Sequence, residues 1–107
     1  MHISLEKQSI NFSVRVAELA KYLREDNRCF PLADQLLSCG VQAGLAMRSN
    51  DRKAAATFVA QSDYIIEMAV FAGYLTAQQS VHVRADCEAL IKILNTATEV
   101  ESEEKSL

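Results

Sequence analysis

The chain has no tryptophan, one proline and three glycines among 107 residues. So few breakers exclude a turn-rich β architecture and leave long helices as the economical reading. There is no strong excess of one charge either: Lys and Arg number 11 against 14 Asp and Glu, a net of −3. That imbalance lies at the end, where Glu99, Glu101, Glu103 and Glu104 face Lys105 alone; residues 1–98 balance. A neutral body lacks the broad positive field of a nucleic-acid binder. The charge-free runs 35–47 and 54–62 fall short of the roughly 20 apolar residues that span a bilayer, so no membrane partner is expected. The opening "MHISLEKQSI" has no apolar segment of the secretory type, which points to the cytoplasm.

Chemistry-bearing patterns are equally sparse. Cys29, Cys39 and Cys87 are odd in number and fit no zinc spacing, and they read as buried thiols. The histidines are His2 and His82, and no Glu-x-x-His motif of a di-metal bundle occurs. His82 and Asp86, at i and i+4, read as surface polar residues. Asp63 and Glu67, at the same spacing, read as a rim or an ion pair across an interface. No glycine loop for phosphate is present. The expectation is a protein without enzymatic activity, cofactor or metal.

Half the residues are apolar, and their spacing predicts four helices. Leu5, Phe12, Val16, Leu19 and Leu23 form a heptad-like stripe over about 5–26. A second helix, from about Pro31 to Met47, holds no charge between Asp34 and Arg48. Leu32, Leu36, Cys39 and Ala43 line one side of it; Leu37, Val41, Gly44 and Leu45 line another. A third starts near "SNDR", with Ser49 or Asn50 as cap, and stops at Gly73. A fourth opens with a Thr76–Gln79 capping box, carries Val83, Leu90, Ile91 and Leu94 as its core stripe, and frays near Val100. Short turns make neighbours antiparallel, hence an all-α, up-down-up-down four-helix bundle over 1–98, with 99–107 as an acidic, disordered tail. A three-helix array with a broken first helix is the alternative.

Gly40 and Gly44 stand one turn apart on one face of the second helix. Each costs roughly 1 kcal/mol in helix propensity relative to alanine. Close approach of another helix, within the bundle or between subunits, can offset that cost. Leu37, Val41, Leu45, Ile65 and Phe71 exceed what a bundle of this size needs for one stripe per helix. Together with the glycines they are candidates for helix packing or a subunit interface, and they imply a homo-oligomer. Arg48, Arg52 and Lys53 cluster at the turn between the second and third helices, while Arg15, Lys21, Arg24 and Arg28 load the first. The three at the turn are candidate nucleic-acid contacts, diluted by Glu18, Glu25, Asp26 and Asp51.

"PLADQLLSCGVQAGLA", then "AGYLT", then "CEALIKIL" resemble the four-helix-bundle proteins of ribosomal-RNA intervening sequences, related to accessory proteins of diversity-generating retroelements. Residues 12–95 can be laid on that pattern. Ser38 and Cys39 stand where the family has arginine and serine, Ala46 replaces an asparagine, and the stretch from Gly44 to Gly73 is shorter. The resemblance implies the same fold and a homo-oligomer, commonly a pentamer. It also implies an alternative to a plain assembly or adaptor role: an accessory factor binding a reverse transcriptase and nucleic acid.

Overall fold

The computed structural model describes residues 5–25 and 27–105, with side chains described as far as Thr96. Four helices follow one another: α1 (Leu5–Arg24), α2 (Ala33–Arg48), α3 (Arg52–Phe71) and α4 (Ala77–Lys105). No strand occurs among the described residues. Successive helices pack side by side, and α1 meets α4 only sparsely. The result is an antiparallel four-helix bundle with one loose seam. α4 takes in residues 99–105 of the acidic segment 99–107. The side chains there lie outside the described residues, as do His2, Asp26 and the expectation of a disordered tail.

Local chemistry sets the helix ends. Gly73 has φ +87°; its N–H donates to Val70 O (3.1 Å) and that of Tyr74 to Ala69 O (2.8 Å), the Schellman closure. Asn50, at φ +61°, closes α2 in the same way: Asn50 N–H donates to Met47 O and Asp51 N–H to Ala46 O. Asn50 is therefore the stop of α2 and not the cap of α3. Asp51 is that cap, its carboxylate accepting from Ala54 N–H at 3.1 Å. The capping box at Thr76 forms as expected, Gln79 N–H donating to Thr76 Oγ1 (3.1 Å) and Thr76 N–H to Gln79 Oε1 (2.8 Å). Pro31 lies in the turn before α2, because Ala33 N–H still bonds back to Phe30 O. Phe30 and Tyr74, from the two turns at this end, pack with ring centroids 4.8 Å apart and planes tilted by 54°.

The core draws on every helix: Phe12, Val16 and Leu23; Leu36, Ala43 and Met47; Val59, Ile66 and Ala69; Val83, Cys87 and Leu94. Leu5, Leu19, Leu32 and Ile91 are only partly buried at its margin. Ser9, Ser62 and Ser80 are buried too, each hydroxyl donating to a carbonyl of its own helix, so none is left unsatisfied.

Both glycines of α2 sit at the α1–α2 seam inside one chain. A Cβ on Gly40 would lie 2.5 Å from Val16 Cγ1 and 2.8 Å from Val16 Cβ. One on Gly44 would overlap Ser13 Oγ and sit 3.4 Å from Ser9 O. The approach is close enough for Ser13 Oγ to donate to Gly40 O at 2.9 Å. Val16 Cβ is fixed to its backbone and cannot turn aside, whereas the Ser13 hydroxyl can rotate at the loss of one hydrogen bond. Gly40→Ala is therefore expected to destabilise, overpacking of about 1–3 kcal/mol exceeding a propensity gain of at most about 1 kcal/mol. Gly44→Ala should be nearly neutral, since a lost bond worth about 1 kcal/mol offsets the same gain. Thermal melting checks the order; a Gly44 variant costing more than the Gly40 variant would contradict this seam.

Candidate self-association surface

α2 and α3 are too apolar for one buried stripe each, and the structure shows where the surplus goes. On α2, Leu37 is half-buried, while Val41 and Leu45 are exposed, at 44% and 59%. On α3, Ile65 is buried against the core and cannot reach another molecule. Phe71 is 85% exposed, Tyr64 63% and Met68 39%. Of the surplus residues the sequence singled out, Gly40, Gly44 and Ile65 thus serve packing within the chain. Val41, Leu45 and Phe71 face outward. Sequence reasoning missed Ile10, Val14, Tyr64, Met68, Val81 and Ile93, all exposed. The signal was there: Tyr64, Met68 and Phe71 recur at i, i+4 and i+7, one helical face.

On α1, α2 and α3 these residues form two groups, with Val81 and Ile93 standing apart on α4. α1 and α2 meet through Ser9, Ser13 and Val16 on one side and Gly40 and Gly44 on the other. Ile10 and Val14 follow Ser9 and Ser13 by one residue, as Val41 and Leu45 follow Gly40 and Gly44. In antiparallel helices that step of about 100° carries all four to the outer side of the same seam. The second group is the α3 stripe. The exposed polar residues Gln35, Ser38 and Gln42 of α2 lie between them, and Thr57 and Gln61 continue the α3 stripe towards its N-terminus.

Ionisable groups are spent on ties between elements. Arg15 pairs with Asp86 across the α1–α4 seam, and Arg24 with Asp34. Arg28 pairs with Glu25 and stacks over the Tyr22 ring, and Arg48 lies 3.8 Å from Glu6. Arg84 of α4 reaches Asp63 (3.0 Å) and Glu67 (3.7 Å) of α3. The carboxylate pair is thus an ion-pair site within the chain rather than between subunits. Arg48, Arg52 and Lys53 do lie together about the α2–α3 turn; Lys53 is exposed and Arg52 half-buried.

A groove of 580 Å³ follows the loose α1–α4 seam over Leu19, Leu75 and Val83. Its polar wall is already engaged, for Tyr22 Oη accepts from Arg28 and from Gln79 Nε2 (2.8 Å). His82 stands exposed at its edge, and Asp86 is turned to Arg15. Among the described residues no group of three or more His, Cys, Asp or Glu is placed to hold a metal ion. No helix among them is long and apolar enough to cross a membrane.

The cysteines separate by burial. Cys29 is exposed, contrary to the expectation for it, because it sits in the α1–α2 turn at φ +48°. Cys39 and Cys87 are buried. Burial pushes the Cys87 thiol up to about 12 and raises that of Cys39, whose Sγ donates to Gln61 Oε1 at 3.6 Å. Since thiolate is the reactive form, Cys29 is expected to react quickly with an aromatic disulfide at neutral pH, and the other two only on unfolding. Three fast thiols would contradict the burial described. The same shift makes stability fall as pH rises from the thiol's ordinary value of 9.0 towards about 12, where the unfolded chain sheds a proton that folded Cys87 keeps.

The fold is that of a small all-α bundle, and it has a solved counterpart. The chain is similar to a crystal structure of a protein of unknown function from the S23 ribosomal protein family of Bacteroides thetaiotaomicron. The TM-score is 0.81 and the identity 22%, over 88% of this chain and 97% of that one. At that identity the likeness is one of fold. No protein-family model and no curated protein matches the chain.

Proposed function

We propose that this chain is a non-enzymatic, self-associating helical bundle that serves as an assembly or adaptor unit in the cytoplasm. The observation that carries this reading is the apolar surface left in water. Tyr64 and Phe71, at 63% and 85% exposure, present ~300 Å² of aromatic side chain at ~200 Å² per residue. Covering it gains on the order of 7 kcal/mol at about 25 cal/mol per Å². Association itself costs about 4–15 kcal/mol. The stripe alone is therefore marginal, and the α1–α2 face supplies the rest.

The competing role is an accessory factor for a reverse transcriptase and nucleic acid. The ribosomal family name of the similar structure also makes RNA worth testing. Either needs positive charge to spare, whereas Arg15, Arg24, Arg28 and Arg48 each face a carboxylate. Sedimentation at micromolar concentration is expected to show a stable species larger than the monomer. A monomer across that range would refute the reading. RNA and DNA are expected to give no gel shift at physiological salt. A shift at low micromolar protein, weakened by added salt, would favour the accessory role through Arg48, Arg52 and Lys53.

A further inference from the structure

The seam between α1 and α4 is a ladder with its middle rung missing. Arg15 pairs with Asp86 at one level, and Tyr22 with Gln79 at another. Both helices advance by two turns between these ties, which therefore stand roughly 10 Å apart. The antiparallel register that the ties define puts Glu18 and Leu19 of α1 level with His82 and Val83 of α4, midway between them. Among the described residues Glu18 and His82 enter no hydrogen bond or ion pair. The 580 Å³ groove opens at this level instead, with Leu19, Leu75 and Val83 as an apolar floor and Glu18 and His82 exposed at its rim. The polar groups already engaged thus lie at the two ends of the groove, and those left over lie in the middle.

We propose that this groove binds a small organic cation, an ammonium group on an apolar body, with the ammonium filling the missing rung between Glu18 and His82. The volume lies within the roughly 300–1,000 Å³ of small-molecule sites, which recur between the helices of bundles. Charge decides the sign of the ligand. Arg15 is matched by Asp86, Lys21 does not line the groove, and Glu18 is left as an unmatched carboxylate. An anion would meet that carboxylate with like charge, and a neutral ligand would leave it unpaired. An ammonium carries three donors, and a neutral imidazole has one acceptor nitrogen. One ammonium can therefore serve Glu18 and His82 together. The apolar body covers Leu19, Leu75 and Val83, and removing that surface from water favours binding. The ligand supplies a tie between α1 and α4 that the chain lacks, and it uses none of the apolar residues assigned to self-association.

Tryptamine is a suitable probe, because the chain has no tryptophan and indole fluorescence then reports the probe alone. Titration with the protein is expected to change tryptamine emission saturably, with a Kd below about 1 mM. Tryptophol has the same body and a neutral hydroxyl in place of the ammonium, and it should bind about tenfold more weakly. Indole-3-propionate, which ends in a carboxylate, should bind more weakly still. Glu18→Gln should bring tryptamine to the level of tryptophol. Glu88→Gln, which removes an exposed carboxylate of α4 outside the groove, should leave tryptamine binding unchanged. Both positions are exposed, and a helical circular dichroism spectrum checks the fold of each variant. Backbone amide shifts on adding tryptamine should centre on residues 15–22 and 79–86. The inference fails if no saturable binding appears below that concentration, or if the propionate binds as tightly as the amine. It fails equally if Glu18→Gln changes nothing, if Glu88→Gln weakens binding as much, or if the amide shifts centre elsewhere.

Discussion

The bundle depends on how closely α1 and α2 can approach. With hydrogen atoms in place of side chains at Gly40 and Gly44, Val16 and Ser13 rest against the α2 backbone, and Ser13 donates to the Gly40 carbonyl. Backbone contact of this kind gathers many small dispersion terms along the seam. It explains why a helix carries two residues that weaken it: the cost is local, and the gain is the register of two helices. Phe12 and Val16 on α1 and Leu36 and Ala43 on α2 reach full burial from that register.

The same approach decides what is left outside. A seam closed on small residues has shallow shoulders, so Ile10, Val14, Val41 and Leu45 remain in water on its outer side. The opposite seam is built differently. α1 and α4 meet sparsely and are tied by Arg15 with Asp86 and by Gln79 with Tyr22. α3 and α4 are tied by Arg84 with Asp63 and Glu67. Polar ties thus join α4 to both neighbours, and apolar surface is exposed on every helix, on α4 at Val81 and Ile93. Five arginines, Arg15, Arg24, Arg28, Arg48 and Arg84, each face a carboxylate of the same chain.

Much of this architecture was legible in the sequence. The helix count, the capping box at Thr76 and the stop at Gly73 follow from short-range chemistry that needs no tertiary partner. The core stripes of α1 and α4 were readable because their outer faces are charged, which leaves one apolar arc. The α2 and α3 assignments were harder for the converse reason. When nearly every position is apolar, periodicity cannot tell Ile65, which is buried, from Tyr64, which is not. The glycine pair announced a close approach, but its partner was out of reach, because Val16 and Ser13 lie more than twenty residues away and nothing local marks them. Asn50 was read as a cap for α3 because asparagine suits both that role and a left-handed helix stop; only the backbone decides between them. Cys29 was read as buried from residue type alone, and the turn at Phe30 and Pro31 carries it outward.

The close approach of α1 and α2 is tested most directly by a double-mutant cycle on Val16→Ala and Gly40→Ala, read as unfolding free energy. If Val16 occupies the space that a Gly40 side chain would need, shortening Val16 must relieve the clash. Gly40→Ala then costs clearly less in the Val16→Ala background than in the wild type, with a coupling on the order of 1 kcal/mol or more for residues in direct contact. Additive effects, within about 0.3–0.5 kcal/mol, would mean that the two residues do not touch, and the seam described would be wrong.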